Sequence, residues 1–348
     1  MPILSLLFSL ITFLRLTIAS QSDDTICNAS QDDVKIKWNW DPTSKSHQCN
    51  IQRISRAELK RLYGDTGLPN LYPYPLVIYP DDKESEQRLK FANLTTLDNL
   101  PLNFPSNFQV TLTGSDSLST HRRTIPLKQY LDEVLNANNG IGETRPNQLG
   151  NETWYLFGET FTDEWSTFLQ SYELPPCTSC TPLYRMQNMI ALSFGIGNIG
   201  SGVQWHLHGP GFSETIHGRK HWVLYPPGNR PQYNLDYASR YWMENTYTTL
   251  TNWTEIDVQM EKDVHEEYYQ KWKNRQNIPM QKTRRIDTGG KLANIMGIED
   301  GPSIKKPWEC TINEGEMIYF PDQWHHATIN LEKYTVFVSS FTTEHEEQ

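Results

Sequence analysis

Seven short stretches in the C-terminal half of this chain suit β-strands. They are Ile190–Phe194, Val203–His208, Ser213–His217, His221–Tyr225, Glu316–Phe320, His326–Leu331 and Thr335–Phe341. Each has strand length, and Gly, Pro and Asn turns separate most of them. Many short strands with such punctuation fold as a double-sheet jelly roll or cupin-like barrel. A polar insertion at about 232–305 interrupts the series. Within it Ile256, Met260, Val264, Tyr268 and Trp272 recur every four residues, the pattern of a surface helix with one apolar stripe.

The first half is mixed. Helical spacing marks Arg56–Tyr63, a segment within 84–99, and Pro126–Leu135, where proline sits at a favoured first-turn position. Tyr74–Tyr79, Phe108–Leu112 and Trp154–Phe157 read as strands. The expected organisation is a leader at 1–20, a polar segment at 21–48, a mixed α/β region at 49–150, a barrel at 151–342 and a polar tail at 343–348. The fold class is mainly β with flanking helices.

Leu4–Leu14 is almost wholly apolar, and small residues at Ala19-Ser20 suit signal-peptidase cleavage. That core is too short to span a bilayer comfortably, so no stable membrane span is expected after cleavage. Sequons at Asn28, Asn93, Asn151 and Asn252 fit entry into the secretory pathway. In an oxidising compartment most of the five cysteines should pair. Cys49 and Cys310 are the pair to test first. Cys177-Thr178-Ser179-Cys180 has redox spacing, but Pro175-Pro176 before it and Pro182 after it indicate a loop, so structural or idle thiols are favoured over redox catalysis. A net charge of −10 and the lack of a long Lys/Arg run argue against nucleic acid as a partner.

The chemistry centres on Trp205-His206-Leu207-His208-Gly209-Pro210-Gly211. On a strand, residues two apart face the same way, so His206 and His208 project together. A third imidazole from His325 or His326 completes a three-ligand metal face with open positions for substrates. Lys220 is the cation such a site needs to hold an anionic co-substrate.

The order of three blocks is specific: His206–Glu214, then Gly218–Pro227 (Gly-Arg-Lys-His-Trp-Val-Leu-Tyr-Pro-Pro), then Phe320–Leu331. It resembles the JmjC family of iron- and 2-oxoglutarate-dependent oxygenases over roughly 150–342, and more weakly over 49–135. The resemblance implies a double-stranded β-helix with His206 as first iron ligand and His326 as the distal one. Lys220 would hold the distal carboxylate of 2-oxoglutarate, with help from Tyr155. His325 would face the opposite side of its strand. It also places the protein in the lumen of the endoplasmic reticulum, with protein partners or a protein substrate.

Three positions depart from the family. His208 stands where active members carry Asp or Glu, Val203 where many small hydroxylases carry Thr, and Phe212 where an Asn often helps. Glu214 is a candidate replacement carboxylate on a different segment. The expected function is a lapsed or weakly active lumenal binding or scaffold protein. The alternatives are an Fe(II)/2-oxoglutarate-dependent protein hydroxylase and a cupin-like binder of glycans or small ligands.

Overall fold

In the computed structural model the described residues are 49–63, 74–81, 85–119, 121–135, 149–150, 153–175, 191–226, 233–245, 247 and 307–341. The leader, Cys27, Cys177, Cys180, the sequons at Asn28, Asn151 and Asn252, and the helical run Ile256–Trp272 lie outside them.

Twelve strands are described. They are β1 (Gln52–Ser55), β2 (Leu76–Tyr79), β3 (Gln109–Gly114), β4 (Arg122–Pro126), β5 (Trp154–Phe157), β6 (Ala191–Gly197), β7 (Gly211–His217), β8 (Lys220–Tyr225), β9 (Trp308–Ile312), β10 (Met317–Phe320), β11 (His325–Asn330) and β12 (Thr335–Phe341). The helices are α1 (Arg56–Tyr63), α2 (Glu86–Leu94), α3 (Leu127–Gln129), α4 (Asp163–Leu169) and α5 (Ser239–Asn245). A nine-stranded sheet runs β1-β2-β10-β7-β12-β6-β5-β3-β4, and a three-stranded sheet runs β11-β8-β9. Every pairing is antiparallel except β1 with β2. Mostly β content in a cupin-like jelly roll is the fold the alternation predicts. The strands of the first half do not form a layer of their own; they extend the larger sheet at both edges.

Alternation sorts the side chains into an interior and two outer faces. Tyr155, Phe157, Trp222, Leu224, Ile318, Phe320 and Phe337 share the interior cluster. Behind the large sheet, Phe91 of α2 and Trp165 and Phe168 of α4 pack on Phe194, Ile196 and Val338. Behind the small sheet, Trp242 and Met243 of α5 cover Val223, Ala327 and Ile329. Gly195 is glycine because an interior Cβ there would lie 2.0 Å from the Phe337 ring. A disulfide joins Cys49 to Cys310 of β9, with Cα atoms 4.1 Å apart, slightly under the usual range of about 4.4–6.8 Å.

Two expectations are corrected. Val203–His208 is not a regular strand. The segment follows β11 through Ser201 O to Asn330 N and Val203 O to Thr328 N, then through His206 and His326, which exchange both backbone bonds. Two residues of β11 thus span three residues of the segment between Val203 and His206. This one-residue surplus is a bulge, and bulges frequently sit beside active sites. The helix expected over Pro126–Leu135 starts one residue later, because Pro126 still ends β4. It then continues as a π-helical turn at Tyr130–Leu135. There the buried Tyr130 hydroxyl donates to Ile196 O at 2.7 Å.

Candidate metal centre

Two chain segments deliver three imidazoles. The bulged segment still alternates: Trp205 enters the cluster under α5 and Leu207 is 41% exposed, while His206 and His208 face the opposite way. His326, the second residue of β11, lies opposite Leu224 on the interior face. His206 N donates to His326 O at 3.0 Å and His326 N to His206 O at 2.9 Å. Gln323 N donates to His208 O at 3.0 Å. Gln323 adopts φ +60°, an uncommon conformation for a non-glycine residue that tightens the turn before β11.

The hydrogen bonds of the rings define their tautomers. Nδ1 of His206 meets Gln204 O at 2.8 Å, Nδ1 of His208 meets Gly209 O at 2.5 Å, and Nδ1 of His326 meets Trp324 O at 2.9 Å. A carbonyl only accepts, so each Nδ1 carries the proton and each Nε2 presents a lone pair. The Nε2 atoms of His208 and His326 are 3.0 Å apart, and one ligand atom from each of the three residues falls within 4.8 Å of the others. Converging lone pairs repel unless a cation lies between them. Burial, above all, pushes the three rings below the ordinary histidine range, His206 to about 4, and a charge on any neighbouring ring acts in the same direction. The three therefore stay neutral, the form that ligates a metal. Phe320 and Trp222 wall the cluster, with ring centroids 5.4 Å from that of His326.

Lys220 lies on the same inner face of the small sheet, opposite Asn330 of β11. It is fully buried, and its Nζ finds no hydrogen-bond acceptor among the described residues. Its Nζ lies over the Phe337 ring, 4.0 Å from the centroid. Burial alone drives its pKa well down. The hydroxyls of Ser213, Thr215 and Ser339 are also buried without partners among the described residues. Ser213 pairs with Ser339 and Thr215 with Phe337, so all three share the face that Phe337 presents to the interior. An orphaned amine beside orphaned hydroxyls fits a bound carboxylate. Tyr155 stands in the same cluster as Phe337, its phenol raised by burial.

Other candidates are placed elsewhere. Phe212 faces outward, packed with Leu59, Met317 and Tyr319. Glu214 shares that outward face, where it accepts from Tyr172 at 2.7 Å and pairs with Arg56 at 3.4 Å and with Arg88. It is held there as a structural anion, so it cannot swing in as a ligand. His325 opposes Tyr225 on the outer face of β11 and is not part of the triad. Val203 is interior, and its backbone N–H donates to the Thr328 hydroxyl at 3.3 Å, which places a hydroxyl next to the position that lacks one. The inward hydroxyls at Ser213, Thr215 and Ser339 escape a motif-based reading. Their signal is polar residues at alternate positions of strands that are buried on both faces.

A jelly roll with imidazoles converging from the segment before β7 and from β11 defines a cupin-like protein. Residues 111–346 match the family model of the cupin-like domain. The chain is 31% identical over 300 residues to human JmjC domain-containing protein 8, covering 86% of this chain and 85% of that one. It is 32% identical over 254 residues to the rat protein of the same name, covering 72% and 70%. Lysine-specific demethylase JMJ21 of Arabidopsis thaliana is 25% identical over 227 residues, 64% of this chain and 18% of that one. The chain belongs to the cupin-like JmjC family.

Proposed function

We propose that this protein is a metal-binding JmjC protein of the lumen of the secretory pathway, acting as a binding or scaffold protein with weak or lapsed oxygenase activity. The observation that carries this is the convergence of the His208 and His326 Nε2 lone pairs at 3.0 Å with no carboxylate in the triad. His206, His208 and His326 would hold the ion, and Lys220 would hold the far carboxylate of 2-oxoglutarate. Iron with 2-oxoglutarate, when bound, supplies oxidising chemistry toward C–H bonds. A neutral imidazole at position 208 leaves the ion one unit more positive than the family's carboxylate does, and removes a hard oxygen donor. The Cys49–Cys310 bond supports an oxidising compartment. Asn93 lies exposed on α2, where a glycan is sterically tolerated. Leu207, exposed beside the imidazoles, offers an apolar contact for a protein partner.

Lys220 favours a second reading, an Fe(II)/2-oxoglutarate-dependent protein hydroxylase, because a buried amine with no acceptor among the described residues is costly unless an anion visits it. Turnover of 2-oxoglutarate by wild type and by His208→Asp separates the two. The first reading expects negligible turnover in wild type and a gain in the variant. Robust wild-type turnover that His208→Asp abolishes establishes the second. Lys220→Ala should remove 2-oxoglutarate binding and spare the metal.

A further inference from the structure

The charge count of the pocket specifies its ligand more closely, on the reading that the triad binds a divalent ion. Three neutral imidazoles leave the ion's full double charge at one end of a site where His208 and His326 are buried, 4% and 1% exposed, and His206 is half-buried. Among the described residues, three buried carboxylates lie on or beside the nearby strands, Glu214, Glu309 and Glu316, and all are committed elsewhere, Glu316 to Arg53 and to Asn313 N. Glu214 is turned to the outer face, against Arg56 and Arg88. Glu309 lies on the outer face of β9, 3.0 Å from His221 Nε2, and accepts from the Tyr247 hydroxyl at 2.6 Å. Uncompensated charge in such a place is costly, so the ligand itself must balance the ion.

We infer that the metal end of this pocket takes a dianionic chelate of the oxalate or ene-diolate class in preference to a 2-oxo acid. A 2-oxo dicarboxylate brings one negative charge to the ion and carries the other to Lys220. The ion then keeps a net positive charge. A family-type carboxylate at position 208 would have cancelled it. A dianionic chelate delivers both charges where the ion sits and makes no demand on Lys220. The amine fits this division, since burial without an acceptor holds Lys220 toward its neutral form and a distal carboxylate must bring a proton with it. Thus His208 sets ligand class, and Lys220 is a secondary determinant used only by longer ligands.

The test loads the full-length protein with Co(II), whose visible absorption reports ligand exchange. It titrates oxalate, its near-isostere oxamate, which carries one charge less, and N-oxalylglycine, an unreactive 2-oxoglutarate analogue. Concentrations are kept where the cobalt stays protein-bound. Wild type should bind oxalate more tightly than N-oxalylglycine. The advantage of oxalate over oxamate should shrink by about tenfold or more in His208→Asp, the loss of one charge interaction in a low-dielectric site. Lys220→Ala should weaken N-oxalylglycine and leave oxalate within about twofold. Tighter wild-type binding of N-oxalylglycine, or an unchanged oxalate-to-oxamate ratio in His208→Asp, overturns the inference while metal binding stands. If wild type retains no Co(II), the metal-binding reading fails first, and this inference with it. Should His208→Asp not fold by near-ultraviolet circular dichroism, the wild-type order of oxalate and N-oxalylglycine decides alone.

Discussion

The disulfide between Cys49 and Cys310 closes a loop with a sequence separation of 261 residues, nearly the whole described fold. It fastens the entry to β1 onto β9, where Asn50 N already donates to Glu309 O at 3.1 Å and Glu309 N to the Asn50 side chain at 2.7 Å. In the chain-entropy treatment a loop of this length restricts the unfolded state by about 5–6 kcal/mol at 25 °C, while native disulfides typically contribute about 2–4 kcal/mol because unfolded chains keep some structure. The perturbation is the double variant Cys49→Ala/Cys310→Ala, which leaves no lone buried thiol. Urea unfolding followed by circular dichroism should show a loss of about 2–4 kcal/mol. Reductant should lower the wild-type midpoint toward that of the variant, and by more than it moves the variant itself. A variant within about 0.5 kcal/mol of wild type, the scale of an inconsequential substitution, would refute the reasoning.

Three further outcomes are expected. Unfolded histidines titrate near pH 6.5 and native His206 at about 4, so below pH 6.5 the metal-free unfolded chain binds protons that the native state refuses. The stability of the metal-free protein should therefore fall as pH drops from about 6.5 toward 4, and a midpoint that stays flat across that window contradicts the neutral triad. Glu214→Gln should cost about 3–5 kcal/mol by unbalancing buried Arg88 and Arg56 while sparing metal affinity; lost metal with full stability would restore Glu214 as a ligand. Gly202→Ala places a Cβ 2.2 Å from the Thr328 carbonyl oxygen, at φ +149°, and should cost about 1–3 kcal/mol and weaken metal binding, as measured by thermal melts and Co(II) titration. An unaffected variant argues that the bulged segment is not held against β11.

Local pattern carried much of the fold. β5, β12 and α1 appear with the boundaries that the strand-like runs and the helical spacing give. The bulge at 203–206 was not legible, since a surplus residue exists only relative to its partner, β11, more than a hundred residues away. The same holds for Glu214. Alternation alone leaves open which face of β7 is interior, and its partners Arg56, Arg88 and Tyr172 come from three distant segments. His206, His208 and His326 were legible because their spacing and block order are rare together. The hydroxyls of Ser213, Thr215 and Ser339 were not, since serine and threonine in a strand are commonplace until the strand is known to be buried on both sides.

Metal content tests the role of the three histidines most directly. Protein incubated anaerobically with Fe(II), or with Mn(II) in air, then dialysed and analysed by mass spectrometry for metal, should hold one ion per chain. His206→Ala/His326→Ala, shown to be folded, should hold almost none. A wild-type protein that emerges without metal, or a folded double variant that keeps its ion, contradicts the three-histidine centre.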